Sequence, residues 1–177
     1  QVMPELLDKH PIQLVLLGNG ERHFEETVQQ LKEVFPDKVG IHIGYSEKLA
    51  HLVEAGSDLF LMPSRYEPCG LGQLIALRYG TLPIVNNTGG LADTVIDYDA
   101  NRRKSTGFVF TEYEAEACQE ALDRALQVYQ NTRSWRALVI NEVTLMSGDA
   151  LIDVLYFAKP AGFAPGQPII LEVQGIE

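Results

Sequence analysis

The sequence has little cysteine, few basic residues and no long apolar run. Cys69 and Cys118 are too few for a disulfide scaffold in 177 residues, and they favour a reducing compartment. Fourteen basic residues against twenty-four acidic ones give a formal net charge of −10, which argues against nucleic acid or an anionic membrane surface as a partner. No apolar run reaches the ~18 residues of a membrane span, and no secretory leader is recognisable. We therefore expect a soluble intracellular protein, for which a neutral polysaccharide is an acceptable partner.

Two kinds of catalytic site are also missing from the sequence. The four histidines, at positions 10, 23, 42 and 51, share no metal-ligand spacing and stand near no cysteine pair. No Gly-x-Ser-x-Gly motif is present, which weakens a hydrolase interpretation. We predict neither a metal nor a cofactor.

Apolar runs alternate with amphipathic segments along the first 139 residues. The runs 12–17, 39–43, 58–62, 82–85 and 107–110 are predicted strands, and most of the segments between them have helical spacing, with Ser46 as the predicted N-cap of one helix. This alternation predicts an α/β fold, a Rossmann-like parallel sheet with helices on both faces. Ligands of such sheets bind beyond the carboxyl ends of the strands. In this sequence Gly18, Tyr45, Glu67 and Thr88 fall there.

The character of the chain changes near residue 140. Segments 143–146, 151–158 and 169–173 are β-prone, and a Pro/Gly-rich stretch, 159–168, separates the last two. We predict a Rossmann-like domain over residues 1–139 and a β-rich tail over residues 140–177, with two or three strands or a hairpin. A foreign fusion, a divergent ending and an artefact all remain open as its origin.

The stretch from Ser64 to Leu74, SRYEPCGLGQL, joins a predicted buried strand to a predicted helix. Gly70 and Gly72 allow backbone to approach a ligand, and the helix that follows begins with unpaired N–H groups, which suit an anion. Glu67 would repel phosphate at close range and is better suited to accept hydrogen bonds from neutral hydroxyls. The combination suggests a sugar nucleotide. The alternative is that Glu67 serves only as a charge partner for the helix N-terminus.

Further candidates lie in the neighbouring loops. Gly18-Asn19-Gly20 is either a ligand-approaching loop or a plain strand-to-helix turn, because the third glycine of the dinucleotide fingerprint is missing. Tyr45 is either a stacking residue or half-buried packing. Thr88-Gly89-Gly90 offers a hydroxyl and a second helix N-terminus for a phosphate, or a simple N-cap. Arg65 and Cys69 are candidates to contact or support the ligand, although Arg65 would equally suit a surface ion pair.

The run SRYEPCGLGQLIALRYGTLPIV followed by NTGGLADTV resembles the C-terminal half of bacterial glycogen synthases and plant starch synthases. The resemblance extends over about residues 13–139. It implies the donor-binding half of a retaining glucosyltransferase of the GT-B fold, which takes glucose from ADP-glucose, or alternatively UDP-glucose, and adds it to an α-1,4-glucan. The acceptor site would lie on an N-terminal half that is absent, together with an Arg and a Lys that neutralise the diphosphate. We therefore expect this chain alone to be inactive.

The resemblance also implies roles for individual residues. Glu67 would hold the transferred glucose, Tyr45 would stack on adenine, and Gly70, Leu71 and Gly72 would offer backbone N–H groups to sugar and diphosphate oxygens. The synthases usually have Thr where Gly72 stands, which puts one phosphate or ribose contact in doubt. The remaining residues expected on the donor side are Gly18, Gly20, Arg65, Cys69, Thr88 and Gly89.

Two alternatives to this function remain open. One is a non-catalytic binding module that associates through its β-rich tail. The other is a different nucleotide-sugar enzyme on the same scaffold, such as an epimerase or another glycosyltransferase. The expected location is the cytoplasm, or the plastid for a plant protein.

Overall fold

Helices and strands alternate along most of the part of the chain that the structure describes. The structure is a computed structural model that describes residues 2–99, 104–147 and 169–173, with side chains for residues 2–99 and 104–139. The helices are α1 (Val2–Lys9), α2 (Arg22–Val34), α3 (Glu47–Gly56), α4 (Gly72–Arg78), α5 (Gly89–Thr94), α6 (Ala115–Gln130) and α7 (Thr132–Ser147). The strands are β1 (Ile12–Gly18), β2 (Val39–Ile43), β3 (Leu59–Met62), β4 (Leu82–Asn86), β5 (Phe108–Phe110) and β6 (Ile169–Val173).

These strands form one parallel sheet in the order β2-β1-β6-β3-β4-β5. The parallel sheet between helices confirms the predicted α/β class. Because the strands are parallel, β1, β2, β3 and β4 all end at the same edge of the sheet. We call this edge, where the loops after residues 18, 43, 62 and 86 begin, the carboxyl edge.

The sheet is buried on both faces at its centre. On β3, Leu59 and Leu61 belong to one apolar cluster, and Phe60 and Met62 belong to another. Successive side chains of a strand point to opposite faces, so these are the two sides of the sheet. The first cluster also contains Leu6, Leu14 and Leu126, from α1, β1 and α6, and the second contains Ala76 and Leu91, from α4 and α5. Helices therefore cover both faces, as a parallel sheet requires.

Local signals account for several element boundaries. Ser46 caps α3, as predicted, because its Oγ accepts a hydrogen bond from the N–H of Leu49 at 3.3 Å. Trp135, at the start of α7, is buried and contacts the ring of Tyr129 on α6 edge-on, with ring centroids 4.8 Å apart. This contact anchors α7 against α6.

The predicted strand at residues 143–146 is wrong, because α7 continues as a helix to Ser147. Extending a helix already formed adds one hydrogen bond per residue without a new nucleation cost, and this outweighs a modest β preference. The position predicted as the start of the tail, 139/140, lies inside α7. The apolar segment 151–158 is outside the described residues. That residues 140–177 form a separate β-rich unit stays a prediction.

Segment 169–173 is a strand, as predicted, but it joins the main sheet. Residues Ile12 to Leu16 of β1 pair with Ile169 to Val173, and Leu59 to Leu61 of β3 pair with Leu171 to Val173. In doubly wound sheets the third, second, first, fourth, fifth and sixth strands lie side by side. Here β6 occupies the place of the first strand in that order.

The helices that the structure describes have 6 to 16 residues each. None of those within residues 2–99 and 104–147 is both long enough and apolar enough to cross a membrane. The α7 helix, for example, has 16 residues and carries charged side chains at Arg133 and Arg136.

Candidate functional site

Two loops at the carboxyl edge lie in direct backbone contact. We call residues 63–71, between β3 and α4, the central loop, and residues 87–90, after β4, the glycine turn. The N–H of Gly90 donates a hydrogen bond of 2.9 Å to the carbonyl oxygen of Glu67. A Cβ atom added to Gly89 would lie 2.0 Å from that same oxygen, and one added to Gly90 would lie 2.0 Å from the carbonyl oxygen of Cys69. The two glycines are therefore required by the close approach of the loops.

The carboxylate of Glu67 is held within its own loop. Its Oε1 accepts a hydrogen bond of 3.1 Å from the N–H of Gly70, and the side chain is half-buried. Gly70 stands two residues before the start of α4 at Gly72, so the carboxylate lies near the helix N-terminus and the charge-partner alternative stays open. An ionised carboxylate has about four acceptor positions, so one such bond leaves capacity for ligand hydroxyls.

This arrangement affects the hydrogen bond that the N–H of Gly70 was predicted to donate to a ligand. That N–H is already bonded to Glu67, three residues earlier, because the turn folds the carboxylate back over its own loop. A ligand oxygen would have to displace the carboxylate to use it. The N–H groups of Leu71 and Gly72, the other two predicted donors of the loop, follow at the start of α4.

Two buried amide side chains support the central loop, and sequence reasoning missed both. Asn86, at the end of β4, donates from Nδ2 to the carbonyl oxygen of Ser64 at 3.0 Å. Gln73, in the first turn of α4, is fully buried. The signal was present, since helical spacing places Gln73 on the same side of α4 as the buried residues Ala76 and Leu77. A polar residue on a buried helix face usually has specific hydrogen-bond partners.

Large side chains at this edge are exposed to solvent. Tyr45 is 84% exposed, Tyr66 is 73% exposed and Leu71 is 70% exposed. The packing interpretation of Tyr45 is therefore wrong in this structure. Tyr66, in the central loop, was not among the predicted residues, although an exposed aromatic side chain beside a glycine-rich loop is a suitable stacking surface.

The polar candidates beside these loops are accessible as well. Arg65 is exposed and makes no ion pair with any residue in the described part of the chain, so the ion-pair alternative has no partner there. Cys69 is exposed with a free thiol. Thr88 occupies the N-cap position of α5, but its side chain makes no capping hydrogen bond. The alternative that the Thr88 hydroxyl serves as a simple N-cap is therefore wrong.

A second group of predicted residues lies at the ends of β1 and β2. The N–H of Gly44 donates to the carbonyl oxygen of Gly18 at 3.1 Å, which joins the two loops in front of Tyr45. The N–H of Gly20 donates to Oε1 of Glu25 on α2 at 3.2 Å. A small cavity of about 40 Å³ lies beside residues 18–20. The loop after β1 is thus tied to both β2 and α2.

The predicted site residues therefore form two groups on either side of β6. The group of β1 and β2 and the group of β3 and β4 share the carboxyl edge, and Val173 of β6 pairs with Leu16 on one side and Leu61 on the other. Direct hydrogen bonds hold the residues together within each group, in the first through Gly18 and Gly44 and in the second through Glu67 and Gly90. A ligand that contacts both groups would have to extend across the end of β6.

A larger opening elsewhere contains none of the predicted site residues. It is an apolar groove of about 670 Å³ on one face of the sheet, lined by α1, α2 and α6 over Leu14, Leu16 and Leu61. Burial beside this groove raises the pKa of the Cys118 thiol to about 11. Within the described residues, no three His, Cys, Asp or Glu side chains are grouped so that they could hold a metal ion.

Comparison with protein families identifies one match over most of the chain. Residues 1–137 match the family model described as "Glycosyl transferases group 1". The chain is 49% identical over 146 residues to a glycogen synthase of Desulforudis audaxviator, covering 82% of this chain and 29% of that protein. It is 52% identical over 137 residues to a glycogen synthase of Anaeromyxobacter sp. strain K, covering 77% of this chain and 28% of that protein. The chain thus spans under a third of the length of these relatives.

A solved structure shares the fold. It is the catalytic domain of starch synthase IV from Arabidopsis thaliana bound to ADP and acarbose, with a TM-score of 0.66 and 28% sequence identity. The similarity covers 85% of this chain and 39% of that one. The relatives and the solved structure therefore both indicate glycogen and starch synthases. These are the proteins that the loop sequences at the carboxyl edge resemble.

Proposed function

The chain belongs to the group 1 glycosyl transferases, and we propose that it forms the nucleotide-sugar-binding half of a glycogen or starch synthase. The donor is ADP-glucose, with UDP-glucose as the alternative, and the acceptor is an α-1,4-glucan. Because the chain spans under a third of its relatives' length, transfer to the glucan belongs to a longer protein in this proposal. The proposed location is the cytoplasm, or the plastid for a plant protein.

One observation carries the proposal: the backbone contact between the central loop and the glycine turn. It places Glu67, with its half-buried carboxylate, next to the glycine turn, where Gly89 packs closely against the Glu67 backbone. A glucosyl diphosphate presents the matching groups, neutral hydroxyls on the sugar and anionic oxygens on the diphosphate. Glu67 would accept hydrogen bonds from glucose hydroxyls, and Leu71, Gly72 and Thr88 would donate to the diphosphate.

The other group at the carboxyl edge supplies the base-binding side. Tyr45, exposed at the end of β2, would stack on adenine, and residues Gly18 to Gly20 would line the space between base and diphosphate. The exposed Arg65 and Cys69 stand beside the diphosphate in this arrangement. The relative bound to ADP shares this fold, which supports a nucleotide as the ligand.

Binding calorimetry on the 177-residue chain tests the proposal. The chain should bind ADP-glucose and ADP, and Glu67→Gln should weaken binding of ADP-glucose about tenfold while leaving the affinity for ADP unchanged. The reason is that Gln keeps an acceptor for the N–H of Gly70 but loses the charge that strengthens hydrogen bonds from glucose hydroxyls.

The matched control is Glu33→Gln, at an exposed position of α2 far along the chain from both loops. This variant should bind both ligands as the unaltered chain does. Absence of binding of either nucleotide at millimolar concentration would contradict the proposal. Equal weakening of ADP and ADP-glucose by Glu67→Gln would contradict the role given to Glu67.

A further inference from the structure

We propose that Gln73 and Thr94 are positioning residues whose mutual hydrogen bond fixes the central loop against the glycine turn. The inference rests on the proposed function, since it concerns how the two loops of the donor site are kept in register. Neither side chain is among the residues proposed to contact the ligand. Both act through backbone groups of residues that are.

Gln73 is an uncharged polar side chain buried at the base of the central loop. Its Nε2 donates to the carbonyl oxygen of Gly70 at 2.9 Å and to Oγ1 of Thr94 at 3.1 Å, and the carbonyl oxygen of Cys69 lies at 3.4 Å. A side-chain amide has two N–H donors, and here they are used by α4's own loop and by α5. Gln73 is therefore the side chain through which the two segments are connected.

Thr94 continues the connection to the glycine turn. Its Oγ1 donates to the carbonyl oxygen of Gly90, four residues earlier, at 2.6 Å. Because a hydroxyl has one hydrogen, the same oxygen must act as acceptor toward Gln73. The chemistry of the groups therefore fixes the direction of both hydrogen bonds. Thr94 holds the glycine turn through the carbonyl oxygen of Gly90.

Two further hydrogen bonds, each donated by a backbone N–H group, close these bonds into a ring. The N–H of Gly90 donates to the carbonyl oxygen of Glu67, and the N–H of Gly70 donates to the Glu67 carboxylate. The ring runs through Glu67, Gly70, Gln73, Thr94 and Gly90. It therefore includes the carboxylate proposed to bind glucose and the turn proposed to bind the diphosphate.

This hydrogen-bond network is not an efficient source of stability. Oε1 of Gln73 is buried and has no hydrogen-bond partner within the described residues, and such an acceptor costs free energy that an apolar side chain would avoid. An apolar residue would fill the same volume but would not specify the distance between the loops. A buried polar network specifies geometry, and this is what a site built from two loops needs.

Three variants test the inference, with affinity for ADP-glucose and amide hydrogen exchange at Gly90 as readouts. Thr94→Val and Gln73→Met keep the approximate shape and remove the shared hydrogen bond, so each should weaken binding about tenfold and speed exchange of the Gly90 N–H. Thr94→Ser keeps the hydroxyl and should behave as the unaltered chain. The Thr94→Val/Gln73→Met double variant should lose less binding free energy than the sum of the two single losses, because both variants remove the bond between Gln73 and Thr94.

Thr27→Val is the matched control. The Thr27 hydroxyl also donates to the carbonyl oxygen four residues earlier, that of His23, at 2.8 Å, but in α2. This variant should change neither readout. Additive losses in the double variant, or unaltered affinity and exchange in Thr94→Val, would overturn the inference.

The readouts separate this inference from the proposed function. If the unaltered chain binds no ADP-glucose, the proposed function fails, and exchange at Gly90 alone decides the inference. Faster exchange in Thr94→Val and Gln73→Met, with normal exchange in Thr94→Ser, would then still support the positioning role. Unchanged exchange in all variants would overturn it.

Discussion

The backbone N–H of Gly90 lies 2.9 Å from the carbonyl oxygen of Glu67, so the glycine turn after β4 is bonded directly to the central loop after β3. The two bonded residues are 23 positions apart in the sequence, and their loops thereby behave as one structural unit. The contact leaves no space for side chains on the turn, because a Cβ atom on either Gly89 or Gly90 would overlap a carbonyl oxygen. Stability and ligand binding should therefore depend on the same glycines.

Replacing Gly90 by Ala should destabilise the chain by about 2 kcal/mol, because the new Cβ would lie 2.0 Å from the carbonyl oxygen of Cys69 and backbone would have to move. The measurement is urea unfolding followed by circular dichroism. Gly56→Ala is the control, since a Cβ atom at Gly56, the last residue of α3, meets nothing within 4 Å. That substitution should be neutral or stabilising by up to about 1 kcal/mol. Equal stability of the two variants would contradict the close contact.

Replacing Tyr45 by Ala should weaken binding of ADP roughly fivefold, because an aromatic stacking contact contributes on the order of 1 kcal/mol. Since Tyr45 is 84% exposed, the stability of the chain should not change. Leu52→Ala, at another exposed apolar position on α3, should alter neither affinity nor stability. The measurement is calorimetry with ADP and with ribose 5-phosphate, which lacks the base. An equal loss for both ligands would show that Tyr45 does not contact adenine.

Replacing Leu171 by Pro should lower stability by about 2 kcal/mol more than replacing it by Ala. Leu171 stands between Leu14 of β1 and Leu59 of β3, and proline removes a backbone donor from this interior strand. Alanine keeps that donor, so the difference between the variants isolates backbone pairing. Thermal unfolding measures it. If both variants unfold at the same temperature, β6 does not join the two parts of the sheet.

The contribution of Glu54 to the stability of the chain should fall with rising pH. Burial raises the pKa of its carboxyl above the ordinary 4.5, against the smaller opposing effect of His51, whose Nδ1 lies 3.3 Å from Oε2. A raised pKa in the folded state means that folding favours the protonated form. The stabilisation is complete below pH 4.5 and is lost as the pH rises through the folded-state pKa.

Glu54→Gln removes this titration. Its melting temperature should exceed that of the unaltered chain at neutral pH, and the difference should shrink as the pH falls toward 4.5. Thermal unfolding from pH 4 to 8 measures both curves. A difference that is the same at every pH would show that the carboxyl does not titrate differently in the folded and unfolded chain.

Local pattern was sufficient to predict most of the sheet. The apolar runs that became β1 to β5 are bounded by glycine, proline or polar residues, and each is too short for a buried helix. The C-terminal extent of α7 could not be predicted from local pattern. Val143 to Met146 has β propensity, and its helical state follows from continuation of a helix anchored by Trp135.

The pairing of β6 and the ring around Gln73 depend on contacts that sequence does not show. Nothing within segment 169–173 specifies that it lies between β1 and β3, because strand order is a property of the whole sheet. The resemblance directed attention to residues that are proposed to contact ligands. The residues proposed to hold them in place are recognised only from hydrogen bonds in the structure. Gln73, Asn86 and Thr94 all donate to loop backbone, and Gln73 also donates to Thr94.

The central claim is that the two loop groups at the carboxyl edge form one side of a nucleotide-sugar site. Titration of the isotopically labelled chain with ADP-glucose, followed by amide chemical shifts, tests it most directly. The claim predicts shifts at Tyr45 in one group and at Gly72 and Gly89 in the other. Shifts confined to the apolar groove between α1, α2 and α6, or no shifts at these three residues at saturating ligand, would contradict it.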